Sequence, residues 1–156
     1  MAEADELRAL LGRVPSGVAV VTVDANGQRL GLTVGTLVGL SLDPPLVGFS
    51  VSRQAALHEL LRDAGGCAVS LLAAGQEALA EHFARGVPPI GMWQEIAVEP
   101  SAGAPLLAGA LGWLECSVRD ELAAGTHTFF VCAVERAVVG VEALGLVRVR
   151  GGFRPA

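Results

Sequence analysis

The tripeptide Asp43-Pro44-Pro45 stands between two apolar runs and forbids one continuous strand or helix through residues 31–53. Each proline fixes its own φ, lacks an N–H and restricts the residue before it. The chain must turn there. Before the turn, GLTVGTLVGLSL reads as an apolar strand interrupted by small residues, with Thr33, Gly35, Thr36 and Gly39 leaving backbone and hydroxyl groups uncovered. A flat group could lie against that surface. After the turn, residues 46–52 read as a second strand, and period-two alternation puts Ser50 and Ser52 on one face and Val51 on the other.

Arg53 follows, and residues 54–62 carry a helical pattern in Leu57, Leu60 and Leu61, with Ser52 placed as a candidate N-cap. Open amides at a helix start, two hydroxyls and a guanidinium together suit a phosphate. The same residues also suit an ordinary capped helix with a solvated arginine. On the residues alone both readings stand.

The 156 residues predict one domain, residues 1–156, large enough to bury about two-thirds of its unfolded surface. With 52% hydrophobic and 17% charged residues, the apolar supply is generous for a monomer of this size, and a homo-oligomer is expected. The formal charge is −5, and all eleven basic residues are dispersed arginines, so no nucleic-acid surface is expected. The longest stretch free of Asp, Glu, Arg and His, residues 100–114, is too short to span a bilayer, and no membrane partner is expected. The first residues mix acids with arginines, unlike a signal peptide. Cys67, Cys116 and Cys132 lack CxxC or Cys/His spacing, which predicts buried thiols in a cytoplasmic protein and no metal site.

In chain order, residues 3–11 predict a short amphipathic helix ended by Gly12, with Leu7, Leu10 and Leu11 on one face. Residues 18–23 form a β-branched strand that turns back at Asp24-Ala25-Asn26-Gly27. Residues 67–72 are strand-like, and residues 76–85 form a helix with Leu79 and Phe83 on one side, ending at Gly86. Residues 87–105 read as a long connection in which Met92 and Trp93 need burial. Strands are expected at 113–119, 126–139 and 146–153, with a turn at 120–125. Six or seven strands, two or three short helices and no βαβ repeat argue against a Rossmann sheet, as does the lack of GxGxxG and Walker patterns. The expected class is mainly β, an antiparallel barrel with a few short helices.

Several segments together resemble the flavin reductase domain family. They are Pro15-x-Gly17-Val18, Gly31-x-Thr33-Val34-x-Thr36, Ser41-Leu42-Asp43-Pro44-Pro45-Leu46-Val47, Ser52-Arg53 and Leu79-Ala80-x-x-Phe83. Later come Gly103-x-Pro105-Leu106-Leu107, Glu115-Cys116-x-Val118, Gly125-x-His127-Thr128 and Gly151-Gly152-Phe153-Arg154. The similarity covers nearly the whole chain. It implies a Greek-key FMN-binding split barrel, usually a homodimer, that reduces FMN or FAD with NADH or NADPH. The resemblance also implies that the reduced flavin diffuses to a separate flavin-dependent monooxygenase.

Carried onto matching positions, the resemblance implies that Thr33, Val34, Gly35, Thr36, Ser41 and Leu42 contact the isoalloxazine, largely through backbone groups. It gives Ser50, Ser52, Arg53 and Gln54 the ribityl and phosphate end, with Phe83 and Arg85 nearby. His127 would position the nicotinamide. Alternation sets His127, Phe129 and Val131 on one strand face and Thr128, Phe130 and Cys132 on the other. Three departures from the family pattern stand out: Thr126 where an aspartate often precedes the histidine, Gly35 in place of Ser or Asn, and Leu146-Val147-Arg148 without a following aromatic. His58 and His82 are expected on helix surfaces. Two alternatives keep the fold: a flavin-binding protein without turnover, and an oxidoreductase with tightly bound flavin acting on another substrate.

Overall fold

The computed structural model describes residues 1–85 and 88–156. Helix α1 (Ala4–Leu11) leads to the two-residue strand β1 (Ser16–Gly17), and β2 (Ala19–Ala25) and β3 (Gln28–Val34) form a hairpin. Asn26 and Gly27 take positive φ at its turn, as the Asn-Gly signal requires. Strands β4 (Val38–Leu42) and β5 (Pro45–Ser52) flank the predicted turn, where the Asp43-Pro44 peptide is cis. Next come α2 (Ala56–Ala64), β6 (Gly66–Leu71), α3 (Glu77–Ala84) and the one-turn α4 (Pro89–Met92). Strands β7 (Val98–Glu99) and β8 (Leu106–Leu107) pair with each other, as do the long β9 (Gly112–Ala124) and β10 (His127–Val139), and then β11 (Leu146–Val149) and β12 (Gly152–Pro155).

The fold is dominated by antiparallel sheet. Seven strands run in the order β3-β2-β6-β9-β10-β5-β4, and β1, β11 and β12 make a second, three-stranded sheet. The two outer strands of the large sheet, β3 and β4, are joined only by Gly35-Thr36-Leu37. Such a link reaches at most roughly 14 Å, whereas seven strands laid flat would put those edges roughly 29 Å apart. The sheet is therefore strongly curled. Val20, Val21, Val69, Phe49 and Phe130 of its strands are all fully buried, with Leu57, Leu61 and Phe83 packed in from α2 and α3.

Several elements differ from the sequence expectation. The apolar run before the double proline is two strands, because Gly35 and Thr36 release the chain from one sheet edge to the other. Residues 120–124 are strand, not turn: after a bulge at Arg119, Asp120 and Glu121 stay paired with β10 in an exposed part of the hairpin, and only Gly125-Thr126 turns. The expected last strand is a hairpin, reversed at Arg150-Gly151, both at positive φ. The connection after α3 is folded rather than open. Trp93 Nε1–H donates to the Arg29 carbonyl (3.0 Å), Met92 is buried, and Thr22 Oγ1–H donates to the Pro105 carbonyl (2.6 Å). The expected helix stop at Gly86, and Val87 after it, lie outside the described residues. Among the described residues no helix is long and apolar enough to cross a membrane.

Candidate functional site

Period-two alternation in β5 and β10 behaves as the sequence requires. Val51 and Phe49 point into the core, while Ser50 and Ser52 face the other way; Thr128, Phe130 and Cys132 are buried, and His127 is exposed. The two strands are ladder partners, and His127 stands directly opposite Ser52. One step further, the Arg53 N–H donates to the Thr126 carbonyl (3.0 Å), which clamps the β9–β10 turn against the end of β5. Thr126 Oγ1 lies 2.9 Å from His127 Nδ1. A neutral hydroxyl thus occupies the position of the expected aspartate, and because it can donate or accept, it serves either tautomer of the ring.

The β3–β4 link reaches the same face. The Ser50 N–H donates to Thr36 Oγ1 (2.9 Å), and the Ser50 and Thr36 hydroxyls lie 3.3 Å apart. Next to them Gly35 leaves a small space: a Cβ there would fall 3.0 Å from Ser16 Oγ. Ser16 places a hydroxyl beside the position where the family pattern often has one on residue 35. Sequence spacing gave no sign of this, since β1 meets the link only through the tertiary fold. Thr36, Ser50, Ser52 and His127 therefore share one face, with Phe129 opposite Ser50 and Arg53 at its end. Arg53 is exposed and forms no ion pair with a carboxylate among the described residues.

Ser52 is not the helix cap. Helix α2 begins at Ala56 with Ala55 as its N-cap residue, and no side chain among the described residues caps it. The Ser52 hydroxyl instead accepts from the Gln54 N–H (3.3 Å), and the Ala55 N–H donates to the Ser52 carbonyl (3.0 Å), so a turn intervenes between strand and helix. The amides at the start of α2 keep no side-chain acceptor among those residues, which preserves the anion-favouring end of the helix one turn later than expected. A cleft of about 230 Å³ opens beside it, lined by Gln54, Ala55, Ala56, Phe83, Arg85 and Gly31 among others. Gly31 is needed there, because a Cβ would fall 2.6 Å from the Phe83 ring. Arg85 is exposed and pairs with Glu81 (3.5 Å).

Other expected contacts lie apart from this face. The Thr33 hydroxyl donates to the Ala80 carbonyl (2.7 Å) and ties β3 to α3, and the Val34 side chain is in the core, so both offer outward only backbone. Ser41 and Leu42 line a separate groove of about 520 Å³ with Leu46, Leu114, Val134 and Ala137. His82 is half-buried, with Nε2 2.6 Å from the Met92 carbonyl, a contact that ties α3 to α4.

His58 is a correction: it is buried, not on the helix surface. Its Nδ1 lies 2.9 Å from the Glu59 carboxylate and its Nε2 2.7 Å from Thr128 Oγ1. A carboxylate can only accept, so Nδ1 donates to Glu59, and the Thr128 hydroxyl, able to donate or accept, completes the contact at Nε2. Arg62 continues the chain to Glu121 on β9 (3.0 Å), linking α2 to the hairpin that carries His127. Hydrogen bonding to His58 is the main cause that holds the Glu59 carboxyl below its usual range, with Arg62 adding to it.

The three cysteines are buried and free, with Cys67 opposite Cys116 in the β6–β9 ladder. Hydrogen bonds to Cys116 and Cys132, together with burial, push the Cys67 thiol well above its usual range. Among the described residues no group of three or more His, Cys, Asp or Glu could hold a metal ion.

Residues 11–156 match the model of the flavin reductase like domain. The chain is 39% identical over 153 residues to an NADH-dependent FAD reductase of Streptomyces globisporus, covering 96% of this chain and 84% of that protein. It is 40% identical over 144 residues to the reductase component of 4-hydroxyphenylacetate 3-monooxygenase from Thermus thermophilus, covering 92% and 91%. Among solved structures it is similar to a Streptomyces globisporus NADH:FAD oxidoreductase in complex with NAD and FAD fragments, with a TM-score of 0.92 at 35% identity over 97% of this chain and 92% of that one. With the fold, the shared face and the sequence in agreement from residue 11 to the last residue, the chain belongs to the flavin reductase like domain family.

Proposed function

We propose that this protein is an NAD(P)H:flavin oxidoreductase that reduces FMN or FAD and passes the reduced flavin, by diffusion, to a separate monooxygenase. The observation that carries the reading is the meeting of Thr36, Ser50, Ser52 and His127 on one face, in a chain related over nearly its full length to named flavin reductases.

The residues fit a flavin by the chemistry of their donors. Ser50, Ser52, Arg53 and Gln54, with the open amides of α2, suit the ribityl and phosphate end, and Phe83 and Arg85 line the adjoining cleft. Backbone of residues 33–36 would border the ring, while Ser41 and Leu42 open on the separate groove. Bound flavin supplies an electrophilic ring that accepts a hydride from the nicotinamide. The protein's share is to hold both rings at stacking distance and to present N–H donors where negative charge develops. His127, steadied by Thr126, orients the nicotinamide from the end of β10 and transfers no proton in this scheme.

The three-residue link between the outer strands supports closure of the seven-stranded sheet into a split barrel of the FMN-binding type, built as a single domain over residues 1–156. Helix α1 buries none of its residues and exposes Leu7, Leu10 and Leu11, and Leu42 is almost wholly exposed, which supports a homodimer. We place the protein in the cytoplasm, where three buried thiols persist reduced.

Steady-state consumption of NADH and of NADPH, each with FMN and with FAD, tests the reading. Flavin-dependent consumption with release of reduced flavin is expected. Flavin binding without consumption would make the protein a flavin carrier, and flavin retained through turnover would make it an enzyme of another substrate.

A further inference from the structure

Four arginines line one cleft built from residues that the site above does not use. It has a volume of about 560 Å³, lies between α1 and the β11–β12 hairpin, and is lined by Arg8, Arg13, Arg148 and Arg150 with Gly12 and Gly151. Among the described residues no acidic side chain lines it, although the chain carries sixteen acids to eleven arginines. Arg8 is bridged to Asp5 (2.6 Å), whereas Arg13, Arg148 and Arg150 form no ion pair with a carboxylate among the described residues. The two walls are joined, since the Arg150 N–H donates to the Gly12 carbonyl (2.6 Å). Arg148 is steadied with its guanidinium 5.5 Å over the Phe153 ring. Like charges gathered in one cleft repel, and an anion with several oxygens relieves that repulsion while matching the planar donor forks.

The cleft adjoins the ring end of the site. Arg148 is the ladder partner of Ser16, the Ser16 hydroxyl abuts Gly35, and Thr36 is bound to Ser50. The flavin phosphate is assigned to the opposite end, at Ser52 to Gln54. An anion in the arginine cleft is then distinct from the flavin phosphate.

We propose that this cleft binds the diphosphate-bearing half of the nicotinamide dinucleotide, which makes Arg13 and Arg148 binding residues for the hydride donor. This rests on the reductase reading given above. The test compares NADH with reduced nicotinamide mononucleotide, which lacks the adenosine half, in the wild-type chain and in the double variant Arg13→Gln/Arg148→Gln. Removing two charge-assisted hydrogen bonds should raise the KM for NADH relative to that for the mononucleotide by about tenfold or more. An unchanged ratio would overturn the proposal, as would a raised KM for FAD but not FMN, which would give the cleft to the flavin's own adenosine half. Inorganic pyrophosphate supplies a measurement independent of the variants: in the wild-type protein it should compete with NADH and not with FMN, and a lack of competition with NADH counts against the cleft. Wild-type protein that consumes no NADH with either flavin would remove the reductase reading and the cleft with it, a result distinct from active enzyme with an unchanged ratio.

Discussion

His127 and Ser52 face each other across the β5–β10 ladder, seventy-five positions apart in the chain and neighbours in the sheet. Their pairing, reinforced by the Arg53 N–H to Thr126 carbonyl bond, brings the nicotinamide side and the phosphate side of the proposed site to a common edge. A shift of one residue in this register would turn His127 into the core and Thr128 outward. The buried Thr128–His58 bond opposes that shift.

Replacing His127 with alanine removes an exposed ring that makes no core contact. We expect the KM for NAD(P)H to rise several-fold to tenfold, the worth of about one good hydrogen bond, with flavin affinity nearly unchanged. Steady-state kinetics beside flavin titration checks this, and a large loss of flavin affinity would put the histidine under the flavin ring instead.

Arg53→Ala should weaken FMN more than riboflavin, because only FMN carries the phosphate. The expected difference is about tenfold or more, as for a charge-assisted hydrogen bond. Fluorescence titration with the two flavins measures it, and equal losses would contradict the assignment.

His58→Ala leaves the buried Thr128 hydroxyl without its partner and opens space beside Phe130. The expected cost is on the order of 2–4 kcal/mol, from the unsatisfied hydroxyl and the lost packing. His58→Leu combined with Thr128→Val removes both polar partners and should recover much of it. Denaturant unfolding of the single and double variants gives the coupling, and strict additivity would mean that the bond contributes nothing.

Acid should act through Glu59. Its carboxyl is held below the usual range, first by His58, so its contribution is present above the ordinary carboxylate pKa and is lost as pH falls through the lowered folded value. The thermal midpoint of the wild type should therefore fall more steeply on acidification than that of Glu59→Gln. Parallel curves for the two proteins would contradict this coupling.

Much of the site was legible because its parts are local. The double proline dictated a turn, and alternation alone put Ser50 and Ser52 on one face and set His127 on the face opposite Thr128 and Phe130. What could not be read depended on partners far along the chain. His58 looks like a helix-surface residue until Thr128, seventy positions away, is placed against it. Ser52 satisfies the local pattern of a cap, yet Arg53 is drawn into the β9–β10 turn and delays the helix to Ala56. Arg119-Asp120-Glu121 has the composition of a turn, yet the chain only bulges at Arg119 and continues as strand because β10 supplies backbone partners from Asp120 onward. The arginine cleft draws on residues 8 to 151, and dispersion in sequence concealed convergence in space.

A crystal of the protein soaked with FMN tests the central claim most directly. The account predicts phosphate density within hydrogen-bonding distance of Ser52, Arg53 or Gln54, with the ring lying along residues 33–36 and one face open toward His127. Density for the phosphate elsewhere, or a ring turned away from the strand that carries His127, would contradict it.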